Sequence, residues 1–306
     1  MIKTVKDPGF GYGSQKNLKD IVNKDGSSNV IHKNRAFKLD DFYAIFINLR
    51  WWKFFLFILL GYTFLNVMFA GIYVLIGIEQ ITPTKGNVID DFLNGFFFSA
   101  QTLTTVGYGG IAPKGLAANL IAAFEAMIGL LSFSFITGLL YGRFSKAKAA
   151  LRFSDSLIVR EFKGERALMF RVMNSRKSVM IEPEITVTLS INERIAEGHY
   201  IRNFYELTLE RDKIIYLPTI WTIVHEINEE SPFYKYSNEE MKALDAELYA
   251  LVQYHEQSYD QKVYQISSYD FTNVQLDVRF IPSFSFDKDG YTVLDHDKLN
   301  DVEHLA

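Results

Sequence analysis

Two periods of apolar and polar residues divide this chain. From Phe54 to Ile78 it reads FFLFILLGYTFLNVMFAGIYVLIGI without a charge. That run predicts a helix apolar on every face, roughly 37 Å long, ample for a hydrocarbon core of about 30 Å. A second span is predicted over 116–145, with Glu125 as its one carboxylate ahead of the basic end. Between the spans, Asp90 to Thr104 (DDFLNGFFFSAQTLT) predicts a short helix whose first residues are acidic, favourable to its dipole. Upstream, KLDDFYAIFINL over 38–49 puts Phe42, Ile45, Phe46 and Leu49 at helical spacing. Such an amphipathic helix lies at the inner surface of a bilayer or packs on the C-terminal module.

After Arg152 the period falls to two. Ile181, Ile185, Val187 and Leu189 share one predicted face, and Glu182, Glu184, Thr186 and Thr188 the other. Lys163-Gly164 and Asp287-Lys288-Asp289-Gly290 read as turns, and short strands out to about Asp295 predict an immunoglobulin-like antiparallel β-sandwich. Ser237 to Tyr249 reads as one helix, with Ser237 as N-cap and Glu240 completing a capping box. The N-terminal stretch before Asn34 reads as extended or loose, with Lys24-Asp25-Gly26 as a turn. The expected organisation is an N-terminal segment (1–37), the amphipathic helix (38–49), a membrane unit (50–149; spans about 52–78 and 116–145, re-entrant helix about 91–104) and a sandwich (150–306).

Charge orients the spans. Lys33, Arg35, Lys38, Arg50 and Lys53 precede the pair, and Arg143, Lys146, Lys148 and Arg152 follow it. The connection carries only Lys85 and Lys114. The positive-inside rule then predicts a multi-pass protein of the inner (plasma) membrane with both termini cytoplasmic. Arg50-Trp51-Trp52-Lys53 marks the interface, indoles at headgroup depth and cations near lipid phosphates. From His225 onward, 17 acidic residues face 6 Lys and Arg, which suits cation attraction and argues against nucleic acid as a partner.

Between the spans stands Thr105-Val106-Gly107-Tyr108-Gly109. Stacked main-chain oxygens of this string can replace the hydration shell of K⁺. Gly107 and Gly109 adopt backbone angles that let neighbouring carbonyls point at one axis. Thr105 adds a hydroxyl at the inner mouth, while Val106 and Tyr108 turn outward. One chain supplies a quarter of such a filter, so the expected working unit is a homotetramer. With no cysteine, thiol catalysis and Cys-based zinc sites are excluded. His225-Glu226 lacks the second histidine of a zinc-protease motif, and no cofactor loop or nucleophile elbow is present, so no enzyme is expected.

The chain resembles the inward-rectifier potassium channel family, its prokaryotic branch most of all. The likeness rests on Asp7-Pro8-Gly9-Phe10-Gly11, Lys24-Asp25-Gly26-Ser27-Ser28-Asn29-Val30, Arg50-Trp51, Phe98-Ser99 and the TVGYG string. Two soluble signatures add to it: Arg171-Val172-Met173-Asn174-Ser175-Arg176-Lys177-Ser178, and Thr222-Ile223-Val224-His225-Glu226-Ile227-Asn228-Glu229-Glu230-Ser231-Pro232. The resemblance implies a tetrameric K⁺ pore with a cytoplasmic vestibule, gating by anionic phospholipid, and block of outward current by Mg²⁺ or polyamines.

Carried over by position, the family's acidic pore residue falls on Phe133, and Glu182 matches a vestibule carboxylate whose companion is Gln253. Weak rectification is therefore expected. A glutamate–arginine pair behind the filter is replaced by Gln101 and Gly110, and Glu125 is expected to support the filter instead. Arg50, Trp51, Lys53, Arg143, Lys146 and Lys148 are the expected lipid contacts, although Ala149 and Ala150 interrupt the basic run. Thr137 and Tyr141 match gate positions, with Gly138 either a bend point or a packing glycine and the segment Tyr254 to Asp260 as the alternative constriction. The competing function is a non-conducting membrane receptor whose soluble module binds lipid or small ligands.

Overall fold

Helix formation in the first half follows the apolar runs. A computed structural model of the protein describes residues 4–14, 21–23, 25–34, 36, 39–83, 86–196 and 199–305. Lys24, Arg35, Lys38 and Lys85, named above, lie outside the described residues. The chain forms two units, Asn34–Lys146 and a second made of Met1–Lys33 with Ala147–Ala306.

The first unit holds α1 (Leu39–Asn48), α2 (Trp51–Ile76), α3 (Val88–Leu103) and α4 (Leu116–Ser145). At 1.5 Å per residue, α2 and α4 are about 39 and 45 Å long, enough to cross a bilayer. Their outward side chains, such as Leu60, Phe64 and Leu75 on α2 and Leu120 and Leu131 on α4, are exposed. A surface that apolar calls for lipid or protein around it.

α3 starts three residues before the expected 91. Asn87 is its N-cap, accepting from the N–H groups of Ile89 and Asp90 at 2.9 Å each. Asp90 and Asp91 then sit in the first turn, beside the positive end of the dipole. α2, α3 and α4 share a core of Phe69, Tyr73, Phe98, Ala118 and Ala122. Gly95 lets α3 lie against α2, since a Cβ there would fall 3.1 Å from the Ala70 carbonyl oxygen. α1 packs within this unit: Phe46 is buried with Phe54 of α2 and Leu139 of α4, while Phe42, Tyr43 and Ile45 stay exposed.

The second unit is the β-sandwich. Its strands are β1 (Thr4–Val5), β2 (Gly13–Ser14), β3 (Leu151–Phe153), β4 (Ile158–Phe162), β5 (Glu165–Asn174), β6 (Met180–Ala196), β7 (His199–Glu206), β8 (Tyr216–Leu217), β9 (Ile220–Ile227), β10 (Ala246–Glu256), β11 (Gln261–Asp270), β12 (Gln275–Leu276), β13 (Val278–Phe280), β14 (Phe284–Phe286), β15 (Thr292–Leu294) and β16 (Val302–His304). One sheet runs β1-β7-β6-β10-β11, with β2 on β7 and β8 on β6; the other runs β12-β4-β5-β3, with β9 on β5. All pairings are antiparallel except β12 with β4. Leu168, Phe170 and Val172 of β5 meet Val187 and Leu189 of β6 and Leu248, Ala250 and Val252 of β10 in one core. Each of these Leu, Val and Phe side chains contributes roughly 1.5–3 kcal/mol on burial.

The turn at Lys163-Gly164 has both residues at positive φ, as a two-residue hairpin requires. Asp287 closes the Asp287–Gly290 turn by accepting from the N–H of Asp289 and of Tyr291.

The N-terminal segment, expected extended or loose, holds two short extended strands: Thr4–Val5 and Gly13–Ser14 enlarge the first sheet by pairing with β7. Three expectations need correction. The capping box at Ser237 and Glu240 is present, but α5 covers only Asn238–Ala243. From Ala246 the alternation of buried Leu248, Ala250, Val252 and Tyr254 pairs with β6, and that packing overrides the helix propensity of Ala, Glu and Leu. The predicted constriction loop is shorter, because Tyr254 to Glu256 belong to β10 and only Gln257 to Asp260 form the turn. Finally, Ile181 is only half-buried whereas Met180 and Pro183 are buried. Glu182 (φ +48°) and Pro183 together oppose Tyr254, a β-bulge that flips the phase of the strand.

Candidate functional site

The TVGYG segment leaves α3 at its C-terminus. Thr104 N–H and its hydroxyl both reach the Ala100 carbonyl, at 3.3 and 2.6 Å, closing the helix. Thr105 N–H then bonds the Thr102 carbonyl at 3.0 Å. The Gln101 carbonyl accepts from Val106 N–H at 3.0 Å and from Gly107 N–H at 3.4 Å, so the start of the segment is fastened to the helix end.

Beyond that point the backbone alternates. Thr105, Gly107 and Gly109 have φ of +58°, +53° and +84°, with Val106 and Tyr108 outside the left-handed region. Two successive carbonyls normally point opposite ways along an extended chain; a left-handed residue at every second place turns them toward one side. Glycine adopts that conformation without cost, whereas Thr105 does so at a cost of order 1–3 kcal/mol. Among the described residues, the carbonyls of Thr105 to Tyr108 accept no hydrogen bond. Val106 and Tyr108 are 52% and 82% exposed in the single chain.

Behind the segment stands a buried polar cluster from three helices. Glu125 of α4 is fully buried; its carboxyl group meets the hydroxyl of Ser99 on α3 and, at 2.6 Å, that of Tyr73 on α2. Ser99 lies 2.9 Å from Oδ1 of Asn66, whose amide N–H donates to the Tyr62 carbonyl at 2.8 Å. Sequence reasoning singled out Glu125 but not Tyr73 or Asn66; a buried carboxyl group in an apolar span calls for such partners, yet nothing in the spacing names them. Gly129 was also missed. A Cβ there would fall 2.0 Å from the Leu103 carbonyl oxygen, so α4 crosses the end of α3 at van der Waals contact.

Below Thr105, a cavity of about 470 Å³ is lined by Tyr62, Thr104, Thr105, Leu130, Phe133 and Ile136, among others. Phe133, Thr137 and Tyr141 follow one another at intervals of four along α4, and all three are exposed. Thr137 donates its hydroxyl proton to the Phe133 carbonyl at 2.8 Å. A Cβ on Gly138 would meet nothing within 4 Å, so packing inside the chain does not require that glycine.

At the other end of the unit, Arg50, Trp51 and Lys53 are exposed. Arg143 is buried: its guanidinium donates to the carbonyls of Phe46, Ile47 (3.1 Å) and Leu49 (2.7 Å), the unsatisfied end of α1. It also stacks 4.4 Å from the ring centre of Trp51 and 4.6 Å from that of Phe54. Lys146 donates to the Asn48 side chain at 2.7 Å. Arg143 therefore serves the α1 end first, while Arg50 and Lys53 beside it keep exposed side chains.

In the sandwich, Lys148 is exposed. Glu182 is exposed on its bulge and lies 3.6 Å from Lys213 Nζ. Gln253 donates to Glu184 at 2.6 Å.

Two family models fit these units. An ion channel model covers residues 54–146, and the inward rectifier potassium channel C-terminal domain covers 151–306. Inward rectifier potassium channel Kirbac3.1 of Paramagnetospirillum magnetotacticum is 31% identical over 287 residues, spanning 92% of this chain and 95% of that one. The chain belongs to the inward rectifier potassium channel family. G protein-activated inward rectifier potassium channel 2 of Rattus norvegicus is 26% identical, over 96% of this chain and 74% of that protein. Its Homo sapiens counterpart is 26% identical over 94% and 73%. Family membership makes this a membrane potassium-channel protein, with the pore architecture around α2, α3 and α4 and the β-sandwich as its soluble domain. Its relatives are ion channels and not enzymes.

Proposed function

We propose that four copies of this chain form a K⁺-selective pore in which Thr105, Val106, Gly107 and Tyr108 ligate dehydrated K⁺ through their carbonyls. The observation that carries this reading is the left-handed backbone at Thr105, Gly107 and Gly109, which turns successive carbonyls to one side. α3 aims its negative dipole end at the same place, favouring a cation. Gln101 and Glu125 support the filter from behind, one through its main-chain carbonyl and one through the Ser99 hydroxyl.

Phe133, Thr137 and Tyr141 line the inner pore, Tyr141 forming the constriction and Gly138 the bend. With Phe133 at the acidic position and Glu182 neutralised in part by Lys213, Mg²⁺ and polyamines block weakly. Anionic phospholipid acts at Arg50, Trp51, Lys53 and Lys146 beside the α1 end, and Arg143 transmits that contact to α4. Lys148 is a further cation of the same kind. The protein is placed in the cell inner (plasma) membrane with both termini cytoplasmic.

Purified protein in liposomes tests the reading. K⁺ flux that exceeds Na⁺ flux and is stopped by Ba²⁺ supports it; liposomes as tight as protein-free ones overturn it. Flux measured across lipid compositions then reports the sign of the lipid response.

A further inference from the structure

The polar cluster behind the filter has a proton count that fixes the state of its carboxyl group. Four close contacts run in a line: Tyr62 carbonyl to Asn66, Asn66 to Ser99, Ser99 to Glu125, and Glu125 to Tyr73. Each needs one proton between its two heavy atoms. Asn66 supplies one, because its N–H side must face the Tyr62 carbonyl and its oxygen then faces Ser99. Ser99 and Tyr73 supply one each. Three protons cannot serve four contacts.

Turning the Asn66 amide does not help. Its N–H would then reach Ser99, but its oxygen would face the Tyr62 carbonyl oxygen at the 2.8 Å now spanned by a hydrogen bond. An ionised Glu125 leaves the deficit in place, with Ser99 donating to the carboxylate and its lone pairs facing Asn66 Oδ1. Among the described residues no cation pairs with Glu125, and its side chain is fully buried. Tyr73 is the other titratable group against it, and it approaches from α2.

We propose that Glu125 is held as a neutral carboxylic acid whose proton is donated to Ser99. Ser99 then donates to Asn66, Asn66 to the Tyr62 carbonyl, and Tyr73 to the second carboxyl oxygen. Every buried polar atom in the line is satisfied, and no charge is left in the membrane interior. Ser99 stands two residues before Gln101, whose carbonyl holds Val106 and Gly107. Glu125 is thus a positioning residue, acting on the filter through α3. That functional consequence rests on the ion-pathway reading; the location of the proton does not.

Infrared difference spectroscopy on the full-length protein in lipid at neutral pH, wild type against Glu125→Gln, reads the proton directly. The expected result is a protonated-carboxyl C=O band that shifts in D₂O and is lost in the variant. Loss of carboxylate bands in its place overturns the proposal. Ser99→Ala, which removes the acceptor, shifts the acid band to higher frequency if the assignment holds and leaves it unmoved otherwise. In flux assays Glu125→Gln, whose amide can donate to Ser99 and accept from Tyr73, is expected to stay closer to wild type in rate and selectivity than Glu125→Leu, which removes both contacts. A Gln variant as impaired as the Leu variant also counts against the neutral acid. Should wild type itself fail to conduct, the pore reading falls while the infrared band still decides the proton.

Discussion

Gly129 of α4 lies so close to Leu103 that a single added methyl carbon would stand 2.0 Å from the Leu103 carbonyl oxygen. The obstacle is backbone, at the C-terminal residue of the helix that leads into Thr105. It cannot swing aside as a side chain tip can. Overpacking a tight site costs about 1–3 kcal/mol where neighbours can relax, and the cost rises where they cannot. Gly129→Ala is therefore expected to lower the melting temperature of the purified protein and to cut K⁺ flux or its selectivity. Gly138→Ala, with open space around it, should leave the melting temperature unchanged. Melting curves and liposome flux on both variants check the pair.

Arg143 and Leu49 define the second expectation. Three backbone carbonyls at the end of α1 depend on one guanidinium that is itself stacked on Trp51 and Phe54. Charged hydrogen bonds of this sort contribute roughly 1.5–3 kcal/mol. A lysine cannot reproduce the planar fork or the stacking, so Arg143→Lys should behave much like Arg143→Gln. Both should melt earlier and respond less to anionic lipid in flux assays. Arg50→Gln, altering an exposed cation, should weaken the lipid response without changing the melting temperature.

How far the sequence reached follows from what each element answers to. α2 and α4 are set by local composition, and their uncharged runs could be read directly. The left-handed backbone of the TVGYG segment was legible at Gly107 and Gly109 because glycine at alternate positions carries backbone information in the letters themselves. Thr105 at positive φ was not, since nothing about threonine announces a left-handed conformation. The helix drawn through Tyr249 failed because Ala246-Glu247-Leu248 has helix propensity, while its strand pairing with β6 is decided more than fifty residues away. The bulge at Glu182 depends likewise on Tyr254 across the ladder. Glu125 stood out as a charge in an apolar span, yet its partners lie 26 and 52 residues off in sequence and emerge only once three helices pack.

His225 gives a pH dependence to the sandwich. The ring is buried, its Nδ1 facing the Thr208 carbonyl at 2.7 Å and its Nε2 the Ser231 hydroxyl at 2.8 Å. Burial pushes its pKa below the ordinary histidine value, outweighing the raising effects of the Thr208 carbonyl and Glu226. The folded state therefore binds fewer protons than the unfolded chain near the ordinary histidine pKa, about 6.5. Stability from this group is fully present above that pH and falls as pH drops through it toward the lower folded value. Melts of the full-length protein, followed by circular dichroism, should show a loss as pH falls below about 6.5. That loss should shrink in His225→Phe, whose mutant starts from a lower melting temperature.

Block by intracellular cations offers the last expectation. Phe133 lines the same cavity as Thr105, and there the chain carries an apolar ring and not a carboxylate. Phe133→Asp would set four negative charges round the axis of a tetramer, in a cavity of low dielectric, where attraction for a polyvalent cation is far stronger than in bulk water. Spermine on the cytoplasmic side should then block outward K⁺ current at concentrations at least about tenfold lower than in wild type, corresponding to about 1.4 kcal/mol. Lys213→Gln should act in the same direction but less, because it frees Glu182 from a cation only 3.6 Å away while leaving an exposed carboxylate that salt screens. Planar-bilayer currents with graded spermine measure both. Unchanged block in Phe133→Asp would mean that Phe133 does not face the permeating ion, and the assignment of the α4 pore face through Thr137 and Tyr141 would have to be rotated accordingly.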